Sequence, residues 1–217
     1  MNYAALVSAV SSYSENTFPT VDMNLFITQA EKRIYNAVQI PSLRKNVTGS
    51  TTASNKYLQC PTDFLSTFSL AVIDPTTGAY TFLLNKDVNF IREAYPKPTS
   101  TGAPKFYAIF GPRSDNEAEL TFILGPTPNA GYSTELHYFY YPESIVTASN
   151  TWLSDNYDPA LLYGTLIEAH TYMKGEPDML AFYDGKYKEA MGQLKRLGDG
   201  LERQDAYRSG QARVAVT

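Results

Sequence analysis

DPALLYGTLIEAHTYMKGEPDMLAFYDGKYKEAMGQLKRLGDGL, residues 158–201, is the stretch that decides the fold. Asp158-Pro159 reads as an N-cap followed by proline at the first helical position. Leu162, Leu166, Ala169 and Met173 then recur at helical intervals. Lys174 suits the negative end of the helix dipole, and Gly175 suits the stop. Glu176-Pro177-Asp178 starts a second helix at once. Its apolar positions are Leu180, Tyr183, Tyr187, Ala190, Leu194, Leu197 and Leu201. This spacing of three and four is the seam of an antiparallel helical hairpin.

The hairpin cannot stand alone. The cost of ordering about forty backbone residues matches or exceeds what its few apolar side chains gain on burial. It needs a further apolar surface, and the only other helical faces lie at the opposite end of the chain. Residues from Asn2 to about Tyr13 carry Leu6, Val7 and Val10 at helical spacing. Phe18-Pro19-Thr20 breaks the pattern, and Thr20 or Asp22 is the expected cap of the next helix. From Met23 to about Val38 the positions Phe26, Ile27, Ala30, Ile34, Ala37 and Val38 share one face. Pro41 ends that segment.

Between the two ends the texture changes. From Leu43 to about Tyr141 alternation replaces helical spacing, and Thr, Tyr, Phe, Pro and Gly dominate. The expected strands are Phe68–Ile73, Tyr80–Leu84, Lys105–Phe110, residues 120–124 and Glu135–Tyr141. A turn, Asp74-Pro75-Thr76-Thr77-Gly78, joins the first two. A short helix is expected at Asp87–Ala94. The predicted class is therefore α+β. N- and C-terminal helices form one bundle around an inserted antiparallel β-sandwich or barrel-like module. The expected boundaries are 1–42 and 151–201 for the bundle, 43–150 for the β-rich module, and 202–217 for an extended C-terminal arm. Beyond Leu201 the chain is polar and offers no core face, so it is either a disordered tail or an arm that orders on a partner. Gly192, Gly198 and Gly200 fit either close contact with a neighbouring subunit or fraying after about Leu197.

Composition narrows the function. A net charge of −4 is mild, and no dense basic face argues for tight nucleic-acid binding. The chain carries 17 Tyr. Such rings suit surfaces buried on assembly, or equally strands and half-exposed core edges. Cys60 is the single cysteine, so no intrachain disulfide forms. The segment Met1–Val7 lacks the basic start of a signal peptide, and no apolar run approaches a membrane span.

Chemistry is hard to place. His137 and His170 lack metal-ligand spacing, and a zinc site would need to recruit carboxylates or Cys60. No nucleophile elbow, phosphate loop or dinucleotide fingerprint occurs. Asp155 and Asp158 read as turn and cap residues, and Asp115-Asn116-Glu117 as a solvated hairpin tip. The expectation is a non-catalytic structural protein with no metal and no cofactor.

One phrase is familiar. Gln59-Cys60-Pro61-Thr62-Asp63-Phe64-Leu65 resembles the Leu-Pro-x-Asp-Phe-Leu phrase of phage head-to-tail adaptor proteins, with Cys60 in place of an aliphatic residue. Pro104–Ile109, Leu120-Thr121-Phe122, Gly125-Pro126-Thr127-Pro128 and Leu136–Tyr141 follow in the order of that family's strands, Pro-x-Pro and Tyr-Tyr. Pro159–Gly164 through Ala169, and Tyr187 through Leu194, look like its C-terminal helical pair. The family resembled is the tail tubular protein A-like, or gatekeeper and connector, group of short-tailed phages. The resemblance implies a virion protein of the tail or neck, assembled in the host cytoplasm. It implies a homo-oligomeric, dodecameric ring joining the portal protein to the tail nozzle. Genomic double-stranded DNA would pass through the lumen without sequence-specific binding, and no membrane is involved. The polar arm is the expected partner contact, through Arg203, Tyr207, Arg208 and Arg213. The alternative is a carbohydrate- or receptor-binding β module of a phage tail protein, with Tyr138 or Tyr140 stacking on sugar rings.

Overall fold

The structure, a computed structural model, describes residues 1–38, 41–111 and 120–208. The chain opens with α1 (Tyr3–Ser14), α2 (Thr20–Ala37) and a 3-10 turn (Pro41–Leu43). Then come β1 (Arg44–Ser50), β2 (Tyr57–Gln59), β3 (Phe64–Ile73), β4 (Tyr80–Phe82), β5 (Leu84–Asn85) and α3 (Val88–Ala94). β6 (Thr101–Gly102), β7 (Phe106–Phe110), β8 (Thr121–Gly125), β9 (Thr127–Pro128) and β10 (Ser133–Tyr140) complete the β elements. The last described elements are α4 (Ile145–Ala148), α5 (Trp152–Asn156), α6 (Asp158–Met173) and α7 (Pro177–Arg208). The protein is thus mixed α+β. Two compact units are formed: one joins Met1–Leu43 with the chain from Tyr141 onward, and the other is Arg44–Tyr140. Residues 141–150 carry α4 and group with the helices.

In the helical unit, the Asn2 side chain caps α1 by accepting the Ala5 N–H at 2.9 Å. Two caps differ from expectation. Pro19, with no side-chain hydrogen bond to offer, holds the N-cap position of α2, and Thr20 and Asp22 lie inside the first turn. Its fixed φ and missing N–H suit a chain entering a helix. Likewise α6 begins one residue early, with Tyr157 at the cap and Asp158 already helical. Lys174 takes the left-handed conformation that stops α6 (φ 54°), and the Gly175 N–H returns to the His170 carbonyl at 2.9 Å. Gly175 is needed for space: a Cβ there would stand 2.7 Å from His170 Nδ1.

α6 is the central helix of its unit and packs against α1, α2, α5 and α7. It is therefore buried on more than one stripe. Ala160, Leu161, Thr165 and Ile167 join Leu166 and Ala169 inside, whereas Leu162 and Met173 are only half-buried. Along α7 the predicted seam holds at Tyr183, Tyr187, Ala190 and Leu194, but Leu197 is 41% exposed. The close approach falls on Gly164. A Cβ there would sit 3.2 Å from Ala30 Cβ of α2 and 3.3 Å from the Tyr187 ring of α7. At Gly192, by contrast, a Cβ would meet nothing within 4 Å.

Among its described residues the β unit holds two four-stranded sheets, ordered β1-β10-β3-β4 and β2-β8-β7-β5, with a small β6-β9 pair. Most pairs are antiparallel, but β5·β7 and β6·β9 are parallel, a departure from the all-antiparallel expectation. Alternation places Leu70, Val72, Leu136 and Tyr138 of the first sheet on one face. They share a core with Tyr107, Phe122 and Leu124 of the second sheet, and with Cys60 and Phe64. The expected strand over Tyr80–Leu84 is split, because Leu83 turns inward between β4 and β5 and is 6% exposed. The predicted short helix forms, capped by Asp87, whose carboxylate accepts the Asn89 N–H at 2.7 Å.

Candidate functional site

α7 has 32 residues and its partner α6 has 16. The two run antiparallel, and Tyr157 Oη, at the start of α6, donates to Gln193 Oε1 at 2.8 Å. From Gln193 to Arg208 the helix therefore runs on past α6 for about 22 Å, at ~1.5 Å per residue. In this distal part Leu194 and Gly198 are buried, while Lys195, Arg196, Leu197 and Asp199 are exposed. Arg203, Tyr207 and Arg208 lie on it, in helix where an extended arm was expected from residue 202. The helical register sets Arg203 and Tyr207 one turn apart. Arg213 lies outside the described residues.

The histidines fall in different surroundings. Strands β3 and β10 bring Ser69 to His137, an adjacency the sequence does not reveal: Ser69 Oγ is 3.3 Å from Nδ1, and Glu135 Oε1 is 3.7 Å from Nε2. The trio has the residue types of a hydrolase triad, but it sits on extended, paired strands. There successive N–H groups point to opposite edges and cannot converge on one oxyanion. It reads as a polar row on a sheet face. His170 packs on the Tyr183 ring with centroids 4.8 Å apart, and neither ring nitrogen has a hydrogen-bond partner among the described residues. Burial lowers its pKa and favours the neutral ring. Among the described residues no group of three or more His, Cys, Asp or Glu is placed to hold a metal ion.

Two polar anchors escape the sequence reading. In the β unit, Tyr138 Oη donates to Asp63 Oδ1 and Lys45 Nζ to Asp63 Oδ2, both at 2.8 Å. Lys45 also stands 4.0 Å over the Tyr140 ring. Burial opposes the Asp63 charge, yet the bonds from Lys45 and Tyr138 hold its pKa below the usual value. Burial, with Asp63 alongside, pushes Tyr138 up to about 12. Tyr138 is 3% exposed and part of the core, so it offers no face to a sugar.

In the helical unit, Glu31 is 2% exposed on α2, and its carboxylate accepts the N–H of Ile145, the first residue of α4, at 2.9 Å. Desolvation raises its pKa above 4.5, only partly offset by the bonds to Ile145 and Ser144. The native state thus binds more protons than the unfolded chain between about 4.5 and the raised pKa. Stability falls as pH rises through that window. Glu31→Gln keeps an acceptor for Ile145 without the charge. It should raise the melting temperature at neutral pH, and the gain should vanish below the ordinary carboxylate pKa. Glu31→Leu strands the Ile145 N–H and should cost about 1–3 kcal/mol. Denaturation curves across pH check both.

The chain matches the family described as SU10 adaptor protein over residues 1–215, and it belongs to that family. This is a family of phage structural adaptors, virion components that interact with other capsid or tail components. No curated protein matches the chain in sequence.

Proposed function

We propose that the protein is a head-to-tail adaptor subunit of the gatekeeper and connector kind. A dodecameric ring of it joins the portal protein to the tail nozzle, and genomic double-stranded DNA passes through the lumen. The observation that carries this reading is the family match over nearly the whole chain. The fold is read as a helical bundle built from both chain ends with a β-sandwich inserted between them. A mild net charge of −4 supports sliding of DNA without sequence-specific binding. Partner contact is assigned to the distal part of α7 and the residues after it, through Arg203, Tyr207, Arg208 and Arg213.

Truncation after Leu201 tests this assignment. Among the described residues the buried positions of α7 extend to Leu194 and Gly198, all before the cut, so the truncated chain should keep its melting transition. Its retention on the cognate portal should fall about tenfold or more, a loss of ~1.4 kcal/mol. Undiminished retention in a binding assay would remove the distal helix from the contact.

A further inference from the structure

The tip of the helical unit, where α6 turns into α7, is apolar and exposed. The end of α1 and the start of α2 meet the hairpin turn there. Tyr183 Oη donates to the Tyr13 carbonyl and Tyr172 Oη to Asp22 Oδ2, both at 3.3 Å. Val21 is 79% exposed, and Tyr13, Leu25, Tyr172 and Phe182 are each more than half exposed. The charges around them are the carboxylates of Glu15, Asp22, Glu176 and Asp178, against one cation, Lys174.

The second sheet of the β unit carries a face of opposite sign. α3 lies on its outer side, where Ile91 packs with Ala108 and Ile123. Phe106 packs against that cluster, and Leu84 is its register partner, so both point to the α3 side. Phe90 of α3 meets the Phe106 ring at 5.3 Å. Leu84 is 59% exposed and Phe90 40%. Exposed cations surround the pair. The Lys86 ammonium lies 5.3 Å from the Phe90 ring centroid, and the Lys105 carbonyl accepts the Leu84 N–H at 3.0 Å. Arg92 lies on α3 and Lys97 just after it. The carboxylates of this face are Glu93 and Asp87, and Asp87 is engaged in capping α3. Apolar residues inside a charged rim are the anatomy of a protein interface rather than of a phosphate track.

We propose that the helical tip of one copy docks on the α3 face of the next copy. Its apolar residues cover Leu84 and Phe90, and Glu15 and Glu176 face Lys86 and Arg92. The complement in charge and in apolar character is supplied by this chain itself, which commits the occupant to a second copy. Opposite rims fix the register and disfavour tip-to-tip pairing. The two surfaces differ, so each copy offers one of each, and the contact repeats head to tail around a ring. The inference rests on the ring reading above. It gives the ring a joint and leaves the opposite end of α7 to the portal.

The test uses the full chain assembled on its portal. Lys86→Glu with Arg92→Glu makes the α3 face acidic, and Glu15→Lys with Glu176→Lys makes the tip basic. All four side chains are exposed, so each double variant should keep the native melting transition. Alone, each sets like charges against one another and should assemble about tenfold less well or worse. Mixed in equal amounts, the two present opposite charges at every joint of an alternating dodecamer, and assembly should return. Independently, native rings built from mixed light and heavy isotope-labelled chains are treated with a zero-length amine-to-carboxylate reagent. Lys86 or Lys105 should couple to Glu15 or Glu176 of another chain. Normal assembly of either variant alone overturns the inference. If rings of the Lys86→Glu, Arg92→Glu variant form normally but hold DNA less well, the α3 face belongs to phosphate instead. Losses that mixing does not repair, or couplings absent or confined to single chains, overturn it as well. Each of these can occur while native rings form. Failure of the native chain to assemble on its portal instead defeats the ring reading, and this joint with it.

Discussion

Phe122→Ala should destabilise the β unit by about 3–5 kcal/mol, the range for truncating a buried phenylalanine. The ring is fully buried on β8 and meets Phe64 at 5.5 Å and Tyr107 at 5.6 Å, both edge-on. Phe64 belongs to the first sheet and Tyr107 to the second, so the cavity would open where the two sheets share their core. Neither neighbour can collapse far. Tyr107 is tied into the ladder opposite Leu124, and Phe64 also stacks on Tyr138, at 6.0 Å. Chemical denaturation followed by near-ultraviolet circular dichroism of the tyrosines would report the loss. A change below 1 kcal/mol would mean that the sheets do not depend on this ring.

Gly164→Leu should cost the helical unit about 1–3 kcal/mol or more, because there is no room at the crossing it occupies. The first added carbon already lies inside comfortable distance of Ala30 and Tyr187, and both come from helices that pack on α6. Relief would need α2 or α7 to move. The single tryptophan, Trp152, lies in α5 of the same unit, so its fluorescence reports this unfolding directly. Gly164→Ala should be much milder, since only the Cβ must be absorbed. Gly192→Ala should be neutral or slightly stabilising, because that position is exposed and helical.

What could be read from sequence followed from periodicity. The long helices repeat their apolar residues often enough to be recognised, and the energetics of one hairpin point to helices at the other end of the chain. Strands β3, β7, β8 and β10 alternate clearly. β1 escapes because Arg44-Lys45-Asn46-Val47-Thr48-Gly49-Ser50 has only one large apolar residue, as an exposed edge strand permits. β2, β5, β6 and β9 have two or three residues each, too few to show a period. The parallel pairs depend on how the chain returns, which no local pattern records. The polar anchors join residues distant in sequence, as with Glu31 and Ile145 or Asp63 and Tyr138. Glu31 did leave a signal: it falls on the apolar stripe of α2, one turn after Ile27 and just before Ile34. An acid at such a position is either buried with a partner or exposes the stripe. Gly164 on the apolar face of α6 is a similar mark.

The central claim is that this chain is a ring-forming adaptor whose distal α7 and the residues after it engage the portal. Electron microscopy of the purified chain mixed with its cognate portal tests that most directly. The account predicts a second ring stacked coaxially on the portal, with an open lumen wide enough for duplex DNA. Portals that remain bare beside monomeric chains, at concentrations well above those of assembly, would contradict it.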